Sequence, residues 1–328
     1  SCSMTPSWDL GTDYADLELN FTAPAFEEAP GLPPSIGAAL GLDALAFLLG
    51  VPGNVAVIWV SGVTLRRTVN GVWFLNLAVA DLLCCLALPF LALPLAQDHH
   101  WPLGGFACKL LPSLTVLNMF ASVLLLTAIS ADCCAVATRW WHRTPRRARR
   151  LSGAVWALAF LLSLPSFLLR TLRRDPFSEK TTCVLDYAAL GRGAELALAA
   201  LRLFAGFLGP VVAMAGCYGW LLARGHPATR PVTTVVALVG CFVGCWLPYH
   251  AVLVALALHA PGAAPYKRAL GAQPLAIAFA HLNGALNPLL YVLLGRGRAR
   301  SLGGRLAWVL RDGDPPGDPS PCTTEDVV

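Results

Sequence analysis

Residues 108–140 read CKLLPSLTVLNMFASVLLLTAISADCCAVATRW. The stretch begins with a cysteine, stays apolar for most of its length, and carries Asp132-Cys133-Cys134 just before a run of arginines. A helix of about 20 apolar residues crosses the ~30 Å hydrocarbon core of a bilayer. If this stretch spans a membrane, it joins an outside-facing cysteine to a charged group at the inner surface.

The composition of the whole chain agrees with a membrane protein. Its 328 residues are 56% hydrophobic and 13% charged, which is too little polar surface to cover a soluble globule of this size. We predict an all-α membrane protein, a seven-transmembrane helix bundle over residues 35–294. The apolar stretches lie near residues 35–62, 71–96, 106–138, 150–171, 194–223, 230–258 and 270–294.

Basic residues predict the orientation of the bundle. Residues 1–65 contain no Lys or Arg. Arginines instead follow the first and third spans and the last span, at Arg66, Arg67, Arg139, Arg143, Arg146, Arg147, Arg149, Arg150, Arg296, Arg298, Arg300 and Arg305. Because basic residues favour cytoplasmic loops, we expect an extracellular N-terminus and a cytoplasmic C-terminus.

The two ends of the chain have their own patterns. Residues 1–34 are acidic and predicted to be a disordered extracellular arm, with a glycosylation acceptor at Asn20. Tyr14 lies between Asp13 and Asp16, a setting that suits tyrosine sulfation as well as an unmodified residue in an acidic tail. Residues 295–310 are predicted to be an amphipathic helix on the inner leaflet, and residues 311–328 a disordered cytoplasmic tail.

Asp81 lies inside the second apolar stretch. A carboxylate at bilayer depth is costly, so its side chain should face the bundle interior and have a partner. We expect a cation, water, or the amides of Asn54 and Asn287, with Ser122 in the same network. A bound sodium ion and a purely structural hydrogen-bonded network both fit this pattern.

Cysteines and prolines add two further expectations. Cys108 and Cys183 fall on the predicted outer side, where a disulfide between them would pin a loop over the mouth of the bundle; Cys2 is a rival partner there. Prolines at membrane depth break a backbone hydrogen bond and allow a kink where a conformational switch can act. They occur at Pro165, Pro210, Pro248 and Pro288.

Together these residues resemble the rhodopsin-like class of seven-helix receptors over nearly the whole chain. The resemblance rests on Asn54, Asp81, Cys108 with Cys183, Trp156, Pro210, Tyr218, CWLP at 245–248 and NPLLY at 287–291. It implies a switch built from Asp132, Cys133, Tyr218, Trp246, Asn287 and Tyr291, a plasma-membrane location and no cofactor.

Within that class the chain is similar to the chemoattractant branch, the anaphylatoxin receptors. The similarity is carried by ADLLCCL at 80–86, HWP at 100–102, RLFAGFLGP at 202–210 and WLPYH at 246–250. It implies as ligands complement component 5a and its des-arginine form. It also implies that Arg170 and Arg202, near the outer ends of the fourth and fifth helices, form the pocket, and that one of them binds the carboxylate at the ligand's C-terminus. Asp13, Tyr14 and Asp16 would attract the basic body of that ligand.

Two positions depart from the family's pattern. Gln273 stands where these receptors tend to have an acidic residue, which weakens recognition of a ligand arginine. Most receptors of the class have Asp-Arg-Tyr where this chain has Asp132-Cys133-Cys134, and Cys133 lacks the charge and reach of an arginine. The loop from Arg224 to Arg230 is also short for docking a G protein.

We therefore predict a receptor with weak or absent G-protein coupling that acts through β-arrestin recruitment, internalisation and ligand scavenging. Membrane lipid, and a hetero-oligomer with the first receptor for the same ligand, complete the predicted partners, with endosomes as a second location. No nucleic-acid partner is expected.

Other classes fit less well. A fully G-protein-coupled chemoattractant receptor is the nearest alternative, and a secondary transporter would show an internal repeat, which the chain lacks. A light-sensing pigment needs a lysine within 270–294, and an amine receptor a carboxylate where Thr115 stands. An enzyme is not expected, because the sequence shows no Ser/His, paired-Asp or metal-ligand constellation. His250 and His281 look isolated, and we expect them to line the pocket or to be hydrogen-bonded rather than to act as ligands.

Overall fold

The structure, a computed structural model, describes residues 33–137, 144–176, 179–187, 191–224, 230–294 and 300–311. In this part of the chain seven helices are long and apolar enough to span a membrane, as predicted. We call them the first to the seventh spanning helix. The first consists of Pro34–Trp59 followed by a π-helical turn, Val60–Thr64, and the fifth of Arg192–Leu203, a π-helical turn Phe204–Leu208 and Gly209–Ala223. The second, third, fourth, sixth and seventh are Val69–Ala96, Gly104–Ala137, Pro145–Leu168, Arg230–Leu258 and Ala264–Leu294. The end of the bundle near Cys108 is called the outer end, and the end near Asp132 the inner end.

The third spanning helix forms the centre of the core. Its middle turns are fully enclosed, with Met119, Phe120, Ser122, Val123 and Leu125 completely inaccessible to solvent. It packs against the second, fourth, fifth and sixth spanning helices. This position explains why the stretch that defines the fold also reaches both functional ends of the molecule.

The fourth spanning helix begins earlier than its apolar stretch. Thr144 accepts a hydrogen bond from the backbone N–H of Arg147 at 3.3 Å, and Pro145 occupies the first turn. The helix therefore starts at Pro145 rather than near residue 150, and it includes arginines that we had assigned to a loop. Apolarity marks the membrane-embedded part of a helix, whereas capping residues mark where the helix begins.

Small residues allow close contact among the first, second and seventh spanning helices. A Cβ atom on Gly50 would lie 2.5 Å from the Cys85 sulfur, and one on Gly53 would lie 2.9 Å from Pro288 Cβ. Asn54 supports the same contact, because its side-chain amide donates to the carbonyls of Gly50 at 2.9 Å and of Gly284 at 2.8 Å. Without a hydrophobic driving force between helices in lipid, such close packing supplies much of their association energy.

A two-stranded antiparallel sheet covers part of the outer end. Strand β1 (Arg170–Arg174) pairs with strand β2 (Thr181–Leu185), and Leu172 stands opposite Cys183. Cys183 forms a disulfide with Cys108 on the third spanning helix, with 5.6 Å between their Cα atoms, which confirms the predicted disulfide. The backbone N–H of Trp101 also donates to the Thr181 carbonyl at 2.7 Å. The sheet is thus attached to the bundle at two points along β2.

The terminal helix (Leu302–Arg311) confirms the helix predicted after the seventh span. We expected its apolar side to lie on the inner leaflet. Leu306, Val309 and Leu310 are buried, and the helix packs against the inner ends of the first, second and seventh spanning helices, whereas Leu302 is exposed. Part of the apolar side therefore adds to the protein core, and the position of the helix on the inner leaflet stays a prediction.

Several predictions fall on residues outside the described part of the chain. These are Asp13, Tyr14, Asp16 and Asn20 in the N-terminal arm, most of the loop from Arg224 to Arg230, and residues 312–328.

Candidate functional site

A cavity of about 590 Å³ opens at the outer end of the bundle. The three residues that we predicted for the ligand pocket, Arg170, Arg202 and Gln273, all line it. Strand β2 contributes Thr182, Cys183, Val184 and Leu185 to the same wall. The disulfide therefore holds part of the pocket wall as well as the loop.

The two arginines lie in a largely enclosed part of this cavity. Arg202 is 7% exposed, and its Nη1 donates to the Tyr249 hydroxyl at 3.4 Å. Arg170 has a buried Nε without a hydrogen-bond partner in the described part of the chain. Burial, with the nearby charge of Arg202, lowers the pKa of Arg170 to about 10, which leaves it protonated at neutral pH.

Their positions differ in detail from the prediction. Arg170 is the first residue of β1, just beyond the fourth spanning helix. Arg202 is the last but one residue of the segment Arg192–Leu203, followed by the π-helical turn that precedes Pro210. It thus lies well inside the fifth spanning helix rather than at its outer end.

A buried polar cluster that we had not predicted lies on another wall of the cavity. His281 Nδ1 lies 2.8 Å from Asp43 Oδ1, and His281 Nε2 lies 3.1 Å from Thr115 Oγ1. All three residues line the cavity. His281 thus lines the pocket and is hydrogen-bonded, as we expected, but it is not isolated, since it connects the first, third and seventh spanning helices. Asp43 and His281 are 238 residues apart, and no spacing in the sequence indicates their contact.

Below the arginines lies an aromatic cluster around Trp246. Its ring stacks on Phe242 with centroids 5.9 Å apart and meets Tyr249 edge to face at 5.6 Å. His250 packs against Phe207 at 4.7 Å, and neither of its ring nitrogens has a hydrogen-bond partner among the described residues. The predicted switch residue Trp246 therefore lies directly beside Tyr249, which contacts Arg202.

Asp81 is fully buried, as its position in the second apolar stretch predicted. Its Oδ1 accepts hydrogen bonds from Asn118 at 2.9 Å and Ser122 at 3.3 Å, and its Oδ2 accepts one from Asn287 at 2.7 Å. The expected partner Asn54 instead binds backbone carbonyls, and Asn118 takes its place.

The oxygen-rich surroundings of Asp81 suit a hard cation. Both amide atoms of the fully buried Asn283, next to Gly284, lack a partner within the described residues. A Cβ atom on Gly284 would lie 3.4 Å from that of Asp81. Asp81, Ser122 and the neighbouring amides would hold such an ion, so the sodium site stays a prediction.

The inner end of the third spanning helix places the Asp132-Cys133-Cys134 sequence against two neighbours. The indole N–H of Trp73 donates to Asp132 Oδ2 at 3.3 Å, and Asp132 is 5% exposed. Cys134 Sγ lies 3.3 Å from the Cys217 carbonyl. A turn earlier, the Tyr218 hydroxyl donates to Ser130 Oγ at 3.0 Å. Tyr291 is buried and meets Phe74 edge to face at 5.2 Å.

This arrangement is a seven-helix membrane bundle with a cavity at its outer end and buried polar side chains at its inner end. The family described as "7 transmembrane receptor (rhodopsin family)" matches residues 53–291, so the chain belongs to that family. It is consequently a multi-pass plasma-membrane receptor rather than an enzyme or a transporter.

Similar proteins locate the chain within the family. It is 43% identical over 311 residues to the C5a anaphylatoxin chemotactic receptor 1 of Oryctolagus cuniculus, covering 92% of this chain and 89% of that protein. It is 42% identical to the receptor of the same name in Canis lupus familiaris, covering 93% and 90%. For the Homo sapiens receptor the identity is 39%, covering 94% and 90%. These similarities confirm the chemoattractant branch, with receptors of the C5a anaphylatoxin type.

Proposed function

We propose that this protein is a cell-surface receptor for complement component 5a and its des-arginine form, with weak or absent coupling to G proteins. In this it resembles the second of the two receptors for that ligand. Its outputs are β-arrestin recruitment, internalisation into endosomes and removal of ligand, which together modulate complement inflammatory signalling. Two observations support the two halves of the proposal: the paired arginines of the cavity, and the inner end of the third spanning helix.

The arginine pair supports a ligand with a carboxylate. In the described part of the chain, no Asp or Glu oxygen lies within 4.0 Å of either guanidinium. Two partly desolvated cations near each other are unfavourable until an anion joins them. A planar guanidinium binds a carboxylate through two parallel hydrogen bonds, so the free C-terminus of a peptide fits this part of the cavity.

Labelled complement component 5a binding to cells that express the chain tests the ligand. We expect saturable binding, and a loss of at least about 2 kcal/mol, roughly thirtyfold in Kd, for Arg202→Ala. Arg173→Ala on the exposed side of β1 removes the same charge outside the cavity and serves as the matched control. Absence of saturable binding would exclude the ligand, and normal binding by Arg202→Ala would exclude the pocket.

The N-terminal arm adds a long-range contribution in this proposal. Asp13, Asp16 and a sulfated Tyr14 would attract a basic ligand and raise its association rate, with an effect that salt screens. Glycosylation at Asn20 would agree with the extracellular placement of this arm.

The inner end supports the signalling half. In most relatives of this class an arginine follows the aspartate, whereas Cys133 has no fixed charge and less than half the reach. Asp132 here accepts a hydrogen bond from the neutral indole of Trp73. Position 133 therefore cannot make an arginine contact with a G protein. Asp132 has a hydrogen-bond donor in Trp73 although no arginine follows it in the sequence.

Second-messenger and β-arrestin assays on ligand-stimulated cells test this half. The unaltered receptor should recruit β-arrestin and give little or no G-protein activation. Cys133→Arg should gain measurable coupling, whereas Cys133→Gln, which adds bulk without charge, should not. Robust G-protein activation by the unaltered receptor would contradict the proposal.

A fully G-protein-coupled chemoattractant receptor is the alternative. It is favoured by the 39–43% identity to proteins named chemotactic receptors. The same second-messenger assay separates the two, because the alternative requires G-protein activation without any substitution at Cys133.

A further inference from the structure

The charged residues of the outer cavity are of both signs. Arg170 and Arg202 come from β1 and the fifth spanning helix, whereas Asp43 comes from the first. The first spanning helix packs mainly against the second and seventh spanning helices. The cavity therefore has cationic groups on one wall and a carboxylate on a wall formed by other helices.

The Asp43 carboxylate is fixed in place by the protein. Its side chain is 7% exposed and the His281 side chain 2% exposed. Nδ1 of His281 donates to Asp43 Oδ1, and the Thr115 hydroxyl, which can donate or accept, fixes the other ring nitrogen. His281 and Thr115 thereby hold the carboxylate in one orientation at the cavity wall.

That carboxylate still has capacity for a partner. Among the residues that the structure describes, the hydrogen bond with His281 is the one that Asp43 accepts, and it involves Oδ1. An enclosed carboxylate on a membrane-spanning helix is costly unless a cation or a further donor joins it.

Glu195 is the other carboxylate that lines the cavity. It lies in the first turn of the segment Arg192–Leu203, two turns from Arg202 on the same side of that helix. It is also less enclosed than Asp43. Glu195 thus lies on the helix that carries Arg202, whereas Asp43 lies on the first spanning helix.

We propose that Asp43, positioned by His281, binds the basic side chain of a peptide whose C-terminal carboxylate is held by Arg170 and Arg202. The class of ligand is a peptide that ends in a residue with both a free carboxylate and a positive charge. Asp43 would then supply the anion that Gln273 lacks, from a different helix. This inference rests on the proposed function and adds a specificity-determining residue to it.

Complement component 5a and its des-arginine form test the proposal, since they differ in the C-terminal arginine. Competition binding is measured for the unaltered receptor and for Asp43→Asn, with surface level followed by an antibody to an N-terminal tag. Asp43→Asn should lower affinity for the full-length ligand about tenfold and leave the des-arginine ligand nearly unchanged. If Asp43→Asn does not reach the cell surface, Asp43→Ser, which is also uncharged but smaller, is used to compare the affinities for the two ligands.

Two controls locate the effect. Asp98→Asn removes an exposed outer carboxylate and should change neither affinity. Glu195→Gln should affect the two ligands equally. A full-length ligand with glutamine as its last residue should bind the unaltered receptor and Asp43→Asn with the same affinity.

The outcomes separate this inference from the proposed function. Saturable binding of both ligands, with equal losses or no loss in Asp43→Asn, would overturn the role of Asp43 and leave the ligand assignment intact. Selective loss in Glu195→Gln would assign the cation to Glu195 instead. Binding of neither ligand to the unaltered receptor would overturn the proposed function itself.

Discussion

The outer and inner ends of the bundle differ in how their charged side chains are paired. At the outer end two enclosed arginines and an enclosed carboxylate line one cavity, without an acidic partner for either arginine in the described part of the chain. At the inner end the aspartate has a neutral donor, Trp73, and the next residue is a cysteine. Charged side chains therefore line the cavity at the outer end, whereas at the inner end Asp132 accepts a hydrogen bond from Trp73 and Cys133 carries no fixed charge.

In the proposed function, ligand recognition and G-protein coupling have separate physical requirements. Recognition uses arginines that bind a carboxylate of the ligand, whereas coupling would use an arginine at the position that Cys133 occupies. The bundle between the two ends keeps its Asp81 network and its aromatic cluster. Substitutions that affect one half and spare the other therefore test the comparison directly.

The largest effect is expected from the disulfide. Cys183→Ser frees strand β2 from the third spanning helix and opens a link between residues 75 apart, at a cost of about 2–5 kcal/mol in stability. Ligand binding should be severely reduced, because β2 forms part of the cavity wall. Thermal unfolding of purified receptor and labelled-ligand binding measure the two consequences. Cys241→Ser removes a free thiol on the sixth spanning helix and is the control. Full ligand binding by Cys183→Ser would show that the cavity does not depend on the attachment of β2.

An intermediate effect is expected at the inner end. Trp73→Phe keeps most of the apolar volume but removes the indole N–H, so the buried Asp132 loses a donor at a cost of about 1–3 kcal/mol. The unfolding midpoint should fall while ligand affinity stays unchanged. Asp132→Asn, whose side-chain oxygen still accepts from Trp73, should lose less stability. A matching fall in ligand affinity for Trp73→Phe would show that the two halves are coupled.

The smallest effect is expected at the outer surface. Lys180 pairs with Asp98 and, by hydrogen bonding and charge, lowers the pKa of that carboxyl. A lowered pKa means that the pairing is complete above the ordinary Asp value of about 4 and is lost only as the pH falls through the lowered value. Between about pH 5 and pH 8 the pair should add no pH dependence to ligand binding. Binding curves of the unaltered receptor and Asp98→Asn should coincide there, and a divergence would assign the exposed pair a role in recognition.

Much of this architecture is predictable from sequence because its causes are local. Long apolar stretches require seven spans, and the burial of Asp81 follows from the cost of a carboxylate in lipid. The predicted topology puts Cys108 and Cys183 on the outer side with Cys2 as a rival partner, and the structure pairs Cys108 with Cys183. The start of the fourth spanning helix was predicted too late, because the helix begins at the cap formed by Thr144 and hydropathy does not detect capping residues.

The remaining features depend on which helix faces turn toward one another. Asp43 and His281 look unrelated in sequence and meet only because the first and seventh spanning helices are neighbours. The same holds for Trp73 with Asp132, and for Asn118 in place of Asn54 beside Asp81. For the terminal helix, the sequence does not tell which apolar residues contact lipid and which contact protein, because that depends on tertiary packing.

The glycine contacts between the first and seventh spanning helices limit how the cavity can change shape. Gly53 against Pro288, together with the Asn54 amide on the Gly284 carbonyl, leaves little room for these helices to slide past each other. Asp43 and His281, one from each helix, should therefore travel together as a rigid body when the bundle rearranges. The fifth spanning helix, with its π-helical turn before Pro210, packs mainly against the third and sixth spanning helices in the part of the chain that the structure describes. If a peptide binds as proposed, the distance between Arg202 and Asp43 is thus the dimension of the cavity that we expect to change on binding.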